Sequence, residues 1–526
     1  MSSPAQGAAP VSRPVTITID SAHPGPVIPG DFAGLSFERG PLLPNSNAGI
    51  SGNLFNPDNS SVVTLFRNMG MHSLRVGGGS VEQHIPAGTG SDGYAGIDGL
   101  FAFAATTGVK VVYTLRLLNP TATPVNNLQA VNAQAAAYIW SHYRDNVSSF
   151  AIGNEPDWHS YHSWQAYNNG PDHQGPASQN DPAIFETIAT TAGSAYPSYL
   201  AHWRSFADAV RAAAPGAPVS GPDLGAYDTS TFTPDPTGMS WTRRLATDEQ
   251  HTGRVAEVSQ HYYAGGSVET KTGTTTAAQA ISNMLSAQWV TASKIGTDLP
   301  PGNPYTPYPW LLANNLAPVI QAGLRYRLTE SNDYLVGVLG ASDNYASALW
   351  ALDHLHWWAA NGCSGVNFHN KQWLNTATIV PNPNGPGYVI RPKGYGIKAF
   401  TLGSAGQVKP VQIQNPNGIN LTAYCVGAGG EDYVTIINKA HGAGAADAAV
   451  TITPPGPGVP AVEVMTLAGG QPGDARGTTV TLGGATITGD APWNDTWDTV
   501  SVAPGSKISL TVEATTAAIV KISSGG

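Results

Sequence analysis

Ser149-Phe150-Ala151-Ile152-Gly153-Asn154-Glu155-Pro156 is the stretch on which the reading of the fold turns. Phe150, Ala151 and Ile152 make a short apolar run of the kind a buried strand needs. Pro156 has no N–H to give to a ladder, so pairing ends there. The strand therefore delivers an amide and a carboxyl group, Asn154 and Glu155, to its own C-terminal end. Working outward, the same unit recurs. Apolar strands are predicted at 32–37, 73–76, 109–115, 149–152, 218–221, 255–261, 326–329 and 365–368. Helical patterns lie between them, for example at 128–143, 197–214, 345–358 and 395–401. Eight strand–helix units in one region predict an α/β fold, a (β/α)8 TIM barrel, over residues 30–404. In such a barrel all strands end on one face, so Asn154 and Glu155 are expected at its mouth. Insertions at 157–194 and 271–317 interrupt the rhythm.

Beyond residue 404 the helical pattern stops. Short strands at 421–426, 432–438, 449–453, 461–467, 478–482, 507–512 and 518–522, spaced by Gly and Pro turns, predict an all-β sandwich domain over 405–526. Val15-Thr16-Ile17-Thr18-Ile19-Asp20 alternates apolar and polar residues, as a half-buried strand does. A barrel has no place for an extra amphipathic strand before its first one, so the segment 14–29 is assigned to the sandwich. Residues 1–13 read as a disordered tail.

Charged residues are only 11% of the 526, against roughly 25% in an average soluble protein. The net charge of −10 argues against nucleic acid as a partner, which needs clustered Lys and Arg. No apolar run reaches the length of a membrane helix. The first residues lack the apolar core of a signal peptide. Few charges and many Ser, Thr and Asn nevertheless point to a secreted or periplasmic protein. The two cysteines, Cys363 and Cys425, are expected as buried thiols rather than as a bridge. Oligomeric state is not legible.

A second strand ends in a carboxylate: Arg325-Tyr326-Arg327-Leu328-Thr329-Glu330-Ser331-Asn332. Glu155 and Glu330 are far apart in sequence, so local packing does not explain why both strands end in Glu. Strands four and seven face each other across a small barrel. Paired carboxyl groups there are the equipment for glycosidic bond cleavage, at about 5–5.5 Å for retention and about 6.5–9.5 Å for inversion.

At these residues the sequence resembles glycoside hydrolase family 79, the β-glucuronidases and heparanases, within the large clan of retaining glycosidases built on (β/α)8 barrels. Further landmarks are Leu74-Arg75-Val76-Gly77-Gly78, Gly221-Pro222-Asp223-Leu224-Gly225 and His261-Tyr262-Tyr263, with the C-terminal β domain; together they cover the chain from residue 15 onward. The resemblance implies Glu155 as acid/base and Glu330 as nucleophile. It implies Asn154 on the sugar 2-hydroxyl, Glu38 accepting from other hydroxyls, and His261 and Tyr263 beside the nucleophile. Glucuronate recognition would fall to backbone amides after the nucleophile and to Tyr395 in Lys393-Gly394-Tyr395-Gly396. The loop after Glu330 departs from the pattern: Tyr334 comes one residue early, Leu335 and Val336 fill the next positions, and Asp333 would repel a substrate carboxylate. Tyr334 is still counted with the substrate-binding residues. The expected function is thus an exo-acting retaining β-glucuronidase on a glycoside or oligosaccharide. The alternatives are the same chemistry on a neutral β-glucoside or β-xyloside, and a non-catalytic carbohydrate-binding barrel.

No cofactor and no metal are expected. Gly77-Gly78-Gly79 follows a strand, but Glu82 stands where a dinucleotide fingerprint needs its third Gly, so the run reads as a tight turn letting a sugar approach the backbone. His159 with His162, and His354 with His356, lack a third ligand or a shared face. Trp158-His159-Ser160-Tyr161-His162-Ser163-Trp164 is an aromatic cluster that would stack on a sugar or pack on itself.

Overall fold

The computed structural model describes residues 11–42, 54–82, 93–118, 125–157, 195–225, 239–265, 275–294, 296–298, 301–371, 374–454, 461–494, 496–503 and 507–523. The aromatic cluster at 158–164 with its two histidines, and nearly all of the 157–194 insertion, lie outside these residues.

Strand β1 (Ser12–Ile19) precedes eight others: β2 (Ala33–Glu38), β3 (Ser73–Gly77), β4 (Lys110–Leu115), β5 (Val147–Ile152), β6 (Val219–Leu224), β7 (Glu257–Tyr263), β8 (Arg325–Asn332) and β9 (Gly365–His369). Strands β2 to β9 are parallel and close into a barrel, β9 returning to β2 through Val366↔Ala33 and His369↔Ser36. Buried on both faces, they carry little alternation, as parallel strands do. Every predicted barrel strand is present.

Strand starts shift by one or two residues, and the largest differences lie at strand ends near the mouth. β8 continues to Asn332 because Glu330, Ser331 and Asn332 pair with His261, Tyr262 and Tyr263, after a register shift at Thr329. A bulge of this kind re-aims the side chain that follows it. β6 continues past Pro222 by the same device.

The barrel interior is polar in two layers. Low in the barrel, Arg327 donates to Glu257 at 2.9 Å and to Asp31 at 3.0 Å. Gly365 makes this possible, since a Cβ there would stand 2.1 Å from the guanidinium. Higher up lies Arg75.

β1 pairs parallel with Asp447–Thr453 and antiparallel with Val411–Gln414; Ile508–Val512 completes that four-stranded sheet. The N-terminal strand thus joins the sandwich. It starts at Ser12, inside the stretch read as tail, because Ser12 and Arg13 already pair with Asp447 and Ala448. The facing sheet is built on Leu421–Ala428, Glu431–Asn438, Thr516–Ser523 and Ala461–Ala468. Val15, Ile17, Ile436, Val450 and Val520 fill the space between. Cys363 and Cys425 are buried free thiols.

The helix Tyr345–Ala360 fastens barrel to sandwich. Asp353 on it receives Lys439 Nζ at 2.5 Å and the hydroxyls of Thr422 and Tyr424 at 2.7 Å each. Tyr345 donates to the Leu467 carbonyl at 2.7 Å. No helix among the described residues is long and apolar enough to cross a membrane.

Candidate active site

Parallel strands bring their C-terminal ends to one rim, and both strand-end glutamates are found there. Past β5 the chain turns sharply, with Gly153 at φ 83° and Glu155 at φ 46°. Two bonds pin this turn: Glu155 N–H donates to the Asp223 carbonyl at 2.8 Å, and Asn154 N–H to Glu82 Oε1 at 3.2 Å. Glu330 is set by the bulge in β8. One oxygen of Glu155, one of Glu330 and a ring nitrogen of His261 all lie within 4.8 Å of one another.

Arg75 organises the floor. Its wholly buried guanidinium donates to Glu330 Oε2 at 2.6 Å, to Asn154 Oδ1 at 2.7 Å and to Asp223 Oδ2 at 3.0 Å. The hydroxyl of Tyr263 donates to the other Glu330 oxygen at 2.5 Å. His261 Nδ1 stands 2.9 Å from Glu155 Oε1. The resemblance placed His261 beside the nucleophile; a ring nitrogen of His261 does lie within 4.8 Å of a Glu330 oxygen, while its hydrogen bond goes to the expected acid/base.

Burial works to raise the pKa of Glu330. The His369 and His261 rings, the Arg75 guanidinium and the Tyr263 hydrogen bond outweigh it and hold the carboxyl well below the usual range. Burial also pushes His369 down to about 4, against the pull of Glu330 and Glu38, which leaves Arg75 and the Tyr263 hydrogen bond as fixed supports of the Glu330 charge. His261 is held above its ordinary value: burial lowers it, but the Glu330 charge and the Glu155 hydrogen bond prevail.

Glu38 ends β2 at the same rim. It accepts from Ser80 N–H at 2.8 Å and pairs with Lys371 Nζ at 2.6 Å. Burial opposes its ionisation, yet Lys371 and His369 bring its pKa down to about 2. Gly78, at φ 70°, serves this residue: a Cβ there would stand 2.3 Å from Glu38 Oε2. Gly78 of the triple-glycine turn therefore makes room for Glu38.

Two expected binding residues point elsewhere. Tyr334 is fully buried, its ring under Gly265 and its hydroxyl accepting from Asn283 at 2.8 Å. The Tyr395 hydroxyl accepts the Ile487 N–H at 3.0 Å and so faces the β-rich domain. Asp333, expected to repel an acidic substrate, is neutralised by buried Lys393 Nζ at 2.9 Å, which also donates to Asn332 Oδ1 at 2.8 Å.

The sequence reading missed Arg75 as an actor, although an Arg in a predicted buried strand is itself a signal. It also missed Asp223, His369, Lys371 and Lys393. Glu82 was met only as a misplaced glycine. It accepts from the backbone of Leu117, Leu118 and Asn154, and burial raises its pKa to about 7.

Glu155, His261 and Glu330 form a donor set of metal-ligand type. Both Glu330 oxygens already hold donors, one of them an arginine, so a cation would meet a guanidinium in its place. The set suits ion pairing better than metal. His354 bonds Tyr308 at 2.9 Å and Ser331 at 3.2 Å, and His356 stacks on Tyr424; burial takes both down to about 3, as packed core histidines.

Fold and site together define a closed parallel barrel with two carboxyl groups facing across its C-terminal mouth and a β-sandwich fastened behind. Solved structures with this architecture cover nearly the whole chain. One is a 4-O-α-L-rhamnosyl-β-D-glucuronidase from Fusarium oxysporum 12S (TM-score 0.65, 18% identity, 96% of this chain and 99% of that one). Others are a family 51 arabinofuranosidase from Xanthomonas axonopodis pv. citri (0.61, 14%, 97% and 99%) and a monomeric β-xylosidase from Caulobacter crescentus CB15 (0.55, 15%, 97% and 100%). At these identities the likeness is one of fold. No protein-family model and no curated protein matches the chain.

Proposed function

We propose that this protein is an exo-acting retaining glycoside hydrolase, with a β-glucuronide as its first substrate. The observation that carries the reading is the meeting of Glu155 and Glu330 oxygens within 4.8 Å, with Arg75 and Tyr263 holding Glu330 ionised. That spacing suits a carboxylate attacking directly; inversion needs room for a water between the groups, about 6.5–9.5 Å. In the first step Glu330 attacks the anomeric carbon and Glu155 gives its proton to the departing oxygen. In the second, Glu155 takes a proton from water, whose oxygen displaces Glu330 and frees the sugar. The glucuronide reading draws on the family landmarks and on the similar fold of the Fusarium enzyme.

One observation favours a neutral glycone on the same chemistry. Tyr334 and Tyr395, the side chains anticipated near a uronate carboxylate, are bonded to Asn283 and Ile487.

A panel of aryl glycosides, β-glucuronide first and β-glucoside and β-xyloside beside it, tests the reading, with NMR of the first-formed anomer. Glu330→Gln should abolish turnover. Glu155→Ala should keep part of the activity on good leaving groups, with azide restoring more. Full activity in either variant, or inversion, overturns the mechanism. Cleavage of β-glucoside with none of β-glucuronide overturns the glucuronidase assignment.

A further inference from the structure

A charged pair at the mouth is left over once the hydrolytic machinery is accounted for. Lys371, just past β9, and Glu38, at the end of β2, stand 2.6 Å apart on adjacent strands that close the barrel. Unlike Arg75, both reach the surface of the cleft: their side chains are 22% and 13% exposed. Among the described residues Glu38 is the only acceptor for the Lys371 ammonium, which leaves two of its N–H bonds for something else. Glu38 keeps lone pairs beyond those used by Ser80 and Lys371.

The position of the pair relative to the chemistry is fixed by His369. Its Nδ1 is 3.5 Å from Glu330 Oε2 and its Nε2 is 3.7 Å from Glu38 Oε1. The pair is thus one imidazole width away from the carboxylate that would attack, within the span of a single sugar ring.

We infer that Lys371 joins Glu38, whose acceptance of glycone hydroxyls the family resemblance already implies, in a clamp on two adjacent free hydroxyls remote from the bond being cleaved, and that Lys371 is a specificity-determining residue. This rests on the glycosidase reading and names its substrate class further. The pair has no net charge, and a second anion placed on Lys371 would face both Glu38 and Glu330. A hydroxyl meets no such conflict: it gives its proton to Glu38 and accepts from Lys371. The Glu38 carboxylate, held by Ser80 and Lys371, only accepts, so an etherified or missing hydroxyl leaves its remaining lone pairs desolvated and without a further donor. The glycone must then be a chain end at that edge, which fits exo action.

The experiment compares the best aryl glycoside of the panel with its 3-deoxy and 4-deoxy analogues, in the wild type, Lys371→Met and Lys371→Arg. The wild type should disfavour at least one analogue by about 10- to 100-fold in kcat/KM. Lys371→Met should lose about that factor on the parent and lose its discrimination against that analogue. Lys371→Arg, which keeps donors, should recover part of both. Wild-type indifference to both analogues, or undiminished discrimination in Lys371→Met, overturns the clamp while leaving the hydrolase intact. Failure of the wild type to cleave any panel glycoside overturns the hydrolase reading, and the clamp with it.

Discussion

The Tyr263 hydroxyl donates to Glu330 Oε1 over 2.5 Å, and burial beside that carboxylate holds the phenol well above its ordinary pKa, so the proton stays on the tyrosine. A hydrogen bond to a buried charge contributes about 1.5–3 kcal/mol. Tyr263→Phe should therefore lower kcat/KM by roughly 10- to 100-fold. The pH sign follows from the same bond. Glu330 is ionised above a depressed pKa; removing a donor to its charged form raises that pKa, so the acid limb of the kcat/KM profile moves to higher pH. An unmoved limb would show that Arg75 alone keeps Glu330 ionised. Which of these residues was legible beforehand follows a physical rule. Glu155 and Glu330 could be read because each ends an apolar strand, a local pattern. Lys371 and Glu38 could not be paired, because barrel closure alone brings β9 onto β2. Tyr334 was misjudged because spacing along a loop says nothing of Gly265, whose missing side chain lets the ring sink inward.

At the level of elements, the helix Tyr345–Ala360 is the joint between barrel and sandwich, and Asp353 is its pin. Burial alone would raise the Asp353 pKa; Lys439 and the hydroxyls of Tyr424 and Thr422 more than offset this and hold it below the usual range. Replacing Asp353 by Ala strands a buried ammonium, which costs about 3–5 kcal/mol. Chemical denaturation should register that loss, and a change under about 1 kcal/mol would mean water replaces the carboxylate without penalty. The pH sign is that of a depressed acid. Its stabilisation is complete above the unfolded carboxylate pKa of about 3.9 and is lost as pH falls towards the lower folded value. The Asp353→Asn protein should accordingly show a flatter fall in stability on acidification than the wild type. The helix was legible from its apolar run. The pin was not, since an Asp among Trp and Leu gives no hint of a lysine on another domain.

The whole molecule was legible in its two parts, because strand–helix alternation and Gly-spaced strands are separate patterns. Their union was not, since no local pattern records which faces meet. The two parts share one core: Val426, Ile437, Met465, Leu467 and Ile519 of the β-rich region pack with the apolar residues of the barrel helices. The chain also crosses between them at its start, since β1 contributes Val15, Ile17 and Ile19 to the sandwich before β2 opens the barrel. Burying each such side chain contributes about 1.5–3 kcal/mol, and β1 pairs on both edges besides. Against a total stability of about 5–15 kcal/mol, losing β1 is a large fraction of what holds the sandwich together. Because the sandwich covers apolar surface of the barrel, its loss should carry through to the mouth where Glu155 and Glu330 meet. Deleting residues 1–20 should thus lower the melting temperature of the whole protein and remove activity together, in one calorimetric transition. A truncated protein that melts in two steps, with the barrel transition unchanged and turnover retained, would show that the sandwich is an independent appendage.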